Sequence, residues 1–219
     1  FTNSPKIEVR YETISTSYAM PHMPSTGVSG VDMYRIDEEG VCDYVAPSRY
    51  IFGDNVTYRY HDLPATPRHG LGYEYRVYLP LYNGVKTLEI GADEGSYFRF
   101  APTSEEKPIM LYGTSIAQGG CAARPAMAWS TILQRALDLP LVNLGFSGNG
   151  PMETEVLDFI VETDARLFIL DCYPNMTGML QNVYPRTLAA VKQIRAKHDE
   201  PILIVEHAGY SDDVAHPSK

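Results

Sequence analysis

Pro108-Ile109-Met110-Leu111-Tyr112-Gly113-Thr114-Ser115-Ile116-Ala117-Gln118-Gly119-Gly120 decides how the chain is read. Its apolar run, residues 109–112, has the length and composition of a buried parallel strand. The run stops at Gly113-Thr114-Ser115, and two more glycines follow before a helical pattern begins. A buried strand that ends in a glycine-flanked serine carries one hydroxyl to the carboxyl edge of a sheet, where open α/β sheets bind ligands. A plain β–α loop whose Ser or Thr caps the helix accounts for the stretch equally well. The flanking sequence has to decide.

Downstream, apolar runs alternate with helical periodicity. Residues 139–144, 167–170 and 202–205 read as further strands. Trp129, Ile132, Leu133, Ala136 and Leu137 fall at i, i+3, i+4, i+7 and i+8. Met152, Val156, Phe159 and Ile160 repeat the pattern, and Tyr184, Leu188 and Val191 begin a third helix. Strand and helix in alternation predict an α/β domain with a parallel sheet and covering helices.

Upstream the grammar differs. Residues 6–12 alternate strictly, with Ile7, Val9 and Tyr11 on one face and charged side chains on the other, as in a half-exposed strand. Apolar and tyrosine-rich runs follow at 31–36, 41–45, 56–60, 73–79, 87–90 and 97–101. In the 73–79 run, Tyr73, Tyr75, Val77 and Leu79 share one face. Gly- and Asn-containing turns separate the runs, and residues 21–30 read as loop. This predicts an antiparallel sandwich. The polar stretch Thr103-Ser104-Glu105-Glu106-Lys107 marks the change, so two domains are expected, 1–103 and 104–219.

The 219 residues are 44% hydrophobic and 21% charged, with a formal net charge of −9. Phosphate binding needs clustered Lys and Arg, so nucleic acid is not the expected partner. No apolar run approaches membrane-spanning length. Cys42, Cys121 and Cys172 have no metal-ligand spacing, and neither a cofactor nor a metal is expected. Of the 16 tyrosines most fall in the first half. The chain opens on Phe1, without an initiator Met or signal peptide, which is expected of a processed form or a fragment.

Candidate chemistry gathers at the strand ends. The second strand runs into Asn143-Leu144-Gly145-Phe146-Ser147-Gly148-Asn149-Gly150, whose glycines leave backbone N–H groups approachable. The third runs into Asp171-Cys172-Tyr173-Pro174-Asn175, which brings a side-chain amide to the same edge. A tight turn and an Asx-turn would explain each alone. Together, a serine, a glycine-rich loop and an asparagine supply a nucleophile and donors for an oxyanion, the needs of acyl transfer. Asn55-Val56-Thr57 and Asn175-Met176-Thr177 match the N-glycosylation pattern, which has meaning only in a eukaryotic secretory context.

From Pro108 onward the chain resembles the SGNH (GDSL-type) hydrolases. Gly113-Thr114-Ser115 is similar to their nucleophile block, with Thr114 where the family usually has Asp. Residues 143–148 are similar to the second block, and Asp171 to Asn175 to a variant of the third. Gly30-Val31-Asp32-Met33-Tyr34 is similar to the Gly-x-Asp-Leu-Tyr signature of a β-sandwich, jelly-roll-like domain that precedes certain bacterial SGNH esterases. The resemblance implies a flavodoxin-like hydrolase domain behind that sandwich. It implies Ser115 as nucleophile, and the Gly148 N–H and Asn175 amide as oxyanion donors. It also implies a small acyl group, acetyl on a carbohydrate, as the substrate ester, and a periplasmic or secreted bacterial setting.

The family's last block, Asp-x-x-His, supplies the base and normally follows a fifth strand. Asp213-Val214-Ala215-His216 matches the pattern directly after the fourth strand, and His207 stands at that strand's end. The expectation is that His216 does not serve Ser115, that both ends of the chain are truncated, and that His207 ranks next as a substitute base. An acyltransferase with the same acyl-enzyme and a non-catalytic glycan-binding protein are the rival readings.

Overall fold

The computed structural model describes residues 1–53, 55–64 and 72–207; Asp213 and His216 lie outside the described residues. The chain divides into two compact units. One is Phe1–Ser104 with Gly119–Arg135, and the other is Glu105–Gln118 with Ala136–Lys219.

Among the described residues the first unit holds six strands: β1 (Ile7–Thr13), β2 (Asp32–Ile36), β3 (Cys42–Val45), β4 (Val56–Tyr60), β5 (Glu74–Tyr78) and β6 (Val85–Ala92). They form two antiparallel sheets, β4-β1-β6 and β3-β2-β5. The alternation of β1 does what it predicts: Ile7, Val9 and Tyr11 are buried and Arg10 is exposed. Those three meet Met33 from the other sheet, with Val56, Tyr58 and Tyr60, in one core. Tyrosine suits this core because its ring packs edge-on, as Tyr11 does against Tyr58 at 5.7 Å. The Tyr11 hydroxyl donates to Ser29 O at 2.7 Å.

Three expectations change here. Residues 97–101 form no strand. Phe98 makes one isolated bridge to Thr2, and Phe100 is 70% exposed, so there is no ladder or core contact to hold an extended run. Tyr75 and Val77 pack on the core as expected, but Leu79 lies beyond the end of β5 and is exposed. Residues 21–30 contain one helical turn, α1 (Ser25–Val28), introduced by Pro24.

The second unit holds β7 (Ile109–Gly113), α2 (Ser115–Gln118), β8 (Leu141–Gly145), α4 (Thr154–Ile160), β9 (Leu167–Asp171), α5 (Leu180–Arg195) and β10 (Ile202–Ile204). Helix α3 (Trp129–Leu137) forms where the Trp129 periodicity predicts it. The sheet is parallel in the order β10-β9-β7-β8, the flavodoxin-like order in which the first strand lies between the second and third. Strand β8 starts at Leu141, not Leu139, because Pro140 has no N–H to give a ladder; its carbonyl accepts from Ile109 N at 2.8 Å.

Strand β7 is buried on both faces. Met110 and Tyr112 join Phe168, Leu170, Leu157, Ile160, Ala190 and Ile194 on one side, while Ile109 and Leu111 join Ala117 and Ile169 on the other. The helix faces differ in part from the expected ones, and in α3 Trp129, Ile132 and Leu137 are exposed. In α4 Ile160 is buried and Val156 packs on the core as expected, as does Met152 before it, but Leu157 takes the place of Phe159, which is 72% exposed. In α5 the buried residues are Ala190 and Ile194, and Tyr184 is 76% exposed. His198 is a packing residue: its ring lies 4.9 Å from that of Phe168 and its Nε2 is 2.8 Å from Val161 O. Among the described residues no helix is long and apolar enough to cross a membrane.

The exchange of Phe159 for Leu157 in the buried face of α4 gives a direct test. Leu157→Ala should cost about 2–5 kcal/mol of stability, the range for emptying a buried leucine site. Phe159→Ala should stay within about 0.5 kcal/mol, as for other surface changes. Urea unfolding of the two variants measures both.

Candidate active site

The carboxyl ends of three neighbouring strands are level. Gly113 of β7 pairs with Gly145 of β8 on one side and with Asp171 of β9 on the other. This is the switch point of the sheet, where the connections after the first and third strands leave in opposite directions. Ser115, Gly148 and Asn175 each follow one of these ends within a few residues.

Ser115 is the first residue of α2 and half-buried. Thr114 before it is fully buried, its Oγ1 lies 3.4 Å from Ile116 N, and its carbonyl accepts from Gln118 N at 3.0 Å. The capping role that a β–α serine or threonine can play therefore falls to Thr114.

The glycine-rich loop is pressed against the end of β7. Phe146 N donates to Gly113 O at 2.9 Å. Gly150 has φ +80°, and a Cβ built there would stand 2.3 Å from the same oxygen, so no side chain fits. The Asn143 side chain works in two directions, donating to Ala117 O at 2.7 Å and accepting from Gly145 N at 2.9 Å. Ser147 N donates to Gln118 Oε1 at 2.8 Å, which ties the loop to the last residue of α2. Below the loop, the Tyr112 hydroxyl donates to the Glu153 carboxylate and accepts from Glu153 N. Gly148 lies at the exposed crest with φ +74° and open space where a Cβ would be.

Asn175 sits in the 3-10 segment Tyr173–Met179 that follows β9. Its side chain is half-buried and points to the loop: Nδ2 donates to Asn149 O at 2.6 Å. An amide nitrogen carries two hydrogens, so one such bond leaves the second for another acceptor.

His207 stands past the end of β10, and its Nε2 lies 2.5 Å from Asp171 Oδ1. Asp171 is 1% exposed, and the position of a Cβ on Gly113 would be 3.0 Å from the Asp171 Cβ. Glycine at 113 thus makes room for a buried carboxylate beside the serine-bearing turn. Sequence reasoning placed His207 at this edge but did not pair it with Asp171. The supporting side chains of Gln118, Tyr112 and Glu153 were also missed. The readable signal was a carboxylate closing an otherwise apolar strand run. Next to it the Cys172 thiol is buried, donates to Tyr112 O at 3.6 Å, and has its pKa pushed up to about 12 by that burial.

The sequence model of the GDSL-like lipase/acylhydrolase family matches residues 106–219. That of the N-terminus of SGNH-hydro-type esterases matches residues 1–98. A crystal structure described as a GDSL-like lipase from Bacteroides ovatus is 34% identical over 93% of this chain, with a TM-score of 0.78. The salicylyl-acyltransferase SsfX3 of a tetracycline biosynthetic pathway shares the fold at 22% identity over 92% of the chain, with a TM-score of 0.67. The chain spans 58% and 56% of the length of these two proteins. No curated protein sequence matches it.

Two outcomes follow from the geometry. Gly150→Ala should cost about 1–3 kcal/mol or more, since the added methyl meets the Gly113 carbonyl head-on; thermal unfolding checks it. A raised thiol pKa leaves little thiolate near neutrality, so iodoacetamide at pH 8 should modify exposed Cys121 and spare Cys172 in the native protein. Mass spectrometry of the alkylated peptides reads the result.

Proposed function

Because the chain belongs to the GDSL-like lipase/acylhydrolase family, we propose that it hydrolyses a carboxylic ester through an acyl-enzyme on Ser115. The observation that carries this reading is the level alignment of Gly113, Gly145 and Asp171, from which Ser115, Gly148 and Asn175 all extend. Ser115 Oγ attacks the acyl carbon as a histidine takes its proton. The N–H groups of Ser115 and Gly148 and the Asn175 amide receive the charge of the tetrahedral oxygen. The alcohol leaves with the proton, and water releases the acid by the same steps. The proposed acyl group is small, acetyl on a carbohydrate, as the family resemblance implies.

In this reading the base belongs to an Asp-x-x-His block that follows a fifth strand. His207 is paired through Nε2 with Asp171, and in this reading it ranks behind that block as a substitute base. An acyl-enzyme can also pass its acyl group to an alcohol. The fold shared with SsfX3, an acyltransferase by its description, supports acyltransfer as a second reading.

p-Nitrophenyl acetate hydrolysis by the full-length protein, with and without a serine-directed phosphonate, tests the activity. Ser115→Ala should abolish both turnover and labelling. Asn175→Ala should lower kcat by about 10²–10³-fold, the cost of one oxyanion donor. Losing a general base costs about 10²–10⁴-fold, and His207→Gln should fall well short of that. Added alcohols that yield transferred ester faster than free acid would favour the acyltransferase.

A further inference from the structure

Residues 119–135 begin four positions after Ser115 in the chain, yet they belong to the sandwich unit. The anchoring is specific. Thr26 Oγ1 of α1 donates to Ala123 O at 2.5 Å. A Cβ on Gly27 would stand 2.1 Å from Ala122 O, so the backbones meet without an intervening side chain. Asp32, 1% exposed, accepts from Ala126 N at 3.1 Å through Oδ2 and from Arg124 Nη1 at 3.2 Å through Oδ1. The Arg124 guanidinium carbon lies 3.9 Å from the centre of the Tyr44 ring, and that of Arg135 lies 4.4 Å from the centre of the Tyr34 ring. Arg135 Nη2 also donates to Ala126 O at 2.7 Å. Asp32 and Tyr34 are the two polar members of Gly30-Val31-Asp32-Met33-Tyr34.

We infer that this signature is a clasp on residues 119–128, and that Asp32 and Arg124 are positioning residues for the turn that carries Ser115. The inference rests on the reading of Ser115 as nucleophile. Gly119 continues directly from Gln118, whose Oε1 holds the Ser147 amide, so the held segment and the serine turn share one short piece of backbone. A buried carboxylate paired with a guanidinium is a weak source of stability, but either group alone would be left uncompensated, so the pair holds the two segments in one arrangement. Stacking on Tyr44 fixes the plane of the guanidinium as well.

Hydrogen exchange and serine labelling on full-length protein separate the possibilities. Asp32→Asn and Arg124→Gln should each speed amide exchange at residues 115–118 by at least about tenfold, with strands β1 and β4 unchanged. Fluorophosphonate labelling should slow by a similar factor. The double variant should be no worse than the worse single one, since both remove the same pair. Tyr44→Leu, at a more exposed position, removes the stack while leaving the Asp32–Arg124 pair in place, and is read the same way if Asp32→Asn does not fold. Tyr44→Phe is its control and loses only the hydroxyl contact to Tyr50. Exchange at 115–118 within twofold of the parent, in any folded variant other than Tyr44→Phe, overturns the clasp. A parent protein that does not label on Ser115 overturns the serine reading instead, and the exchange result stands apart from it.

Discussion

The carbonyl oxygen of Gly113 receives the amide of Phe146 at 2.9 Å, and the place a side chain would take on Gly150 lies 2.3 Å from that same oxygen. Backbone meets backbone there with nothing between. Strand β7 is the central first strand, so its last carbonyl is where the loop after β8 must turn. With larger residues at these positions the loop would be held away from the strand end. Asn143, Gln118 and Asn175 then add directional bonds around a contact that packing alone would leave free to slide. The buried carboxylate of Asp171 occupies the other flank, in space that the missing Gly113 side chain leaves open. An oxyanion site needs donors that do not reorganise as charge develops, and a wall of fixed amides meets that need better than mobile side chains.

The parallel strands were legible because each is a short apolar run, those of β7, β8 and β9 stopped by Gly or Asp, and the sandwich strand β1 was legible because it alternates without exception. Helix existence was legible, but helix faces were not. Periodicity gives weight to large apolar side chains, so it buried Phe159 and Tyr184, which are exposed; Ile160 is buried as read, but Leu157, Ala190 and Ile194 were passed over. Ala190 lets α5 approach closely and leaves almost no mark on a hydrophobic pattern. At the site, the serine turn and the glycine loop are local features and could be read from their own residues. The Asp171–His207 pair spans 36 positions and the Asp32–Arg124 pair 92, distances over which one sequence holds no pairing signal.

The family resemblance and the bare residues lead to the edge of the parallel sheet by different routes. The resemblance supplies roles for Ser115, Gly148 and Asn175. The residues supply the reason those roles could be filled: one buried threonine caps the turn, one asparagine joins helix and loop, and a tyrosine–glutamate contact closes the loop from below. The departures from the usual motifs can be read in the same terms. Thr114, in place of the family's Asp, is fully buried and caps its own helix, a position where an ionised side chain would pay heavily for desolvation.

The segment 119–135 has a consequence for the order in which the protein can come into being. Synthesis proceeds from the amino terminus, and domains generally fold as units when they emerge. Here the sandwich unit is not finished when its last strand has been made at Ala92, because Asp32 still lacks Arg124 and the Ala126 amide. The first strand of the second unit and its serine must leave the ribosome before the first unit can close. The nascent chain therefore carries a buried-site aspartate without its cation while the strand that leads to Ser115 is being delivered. The first unit can close only after residue 135 has been made, when β7 is already out and β8, β9 and β10 are still to come.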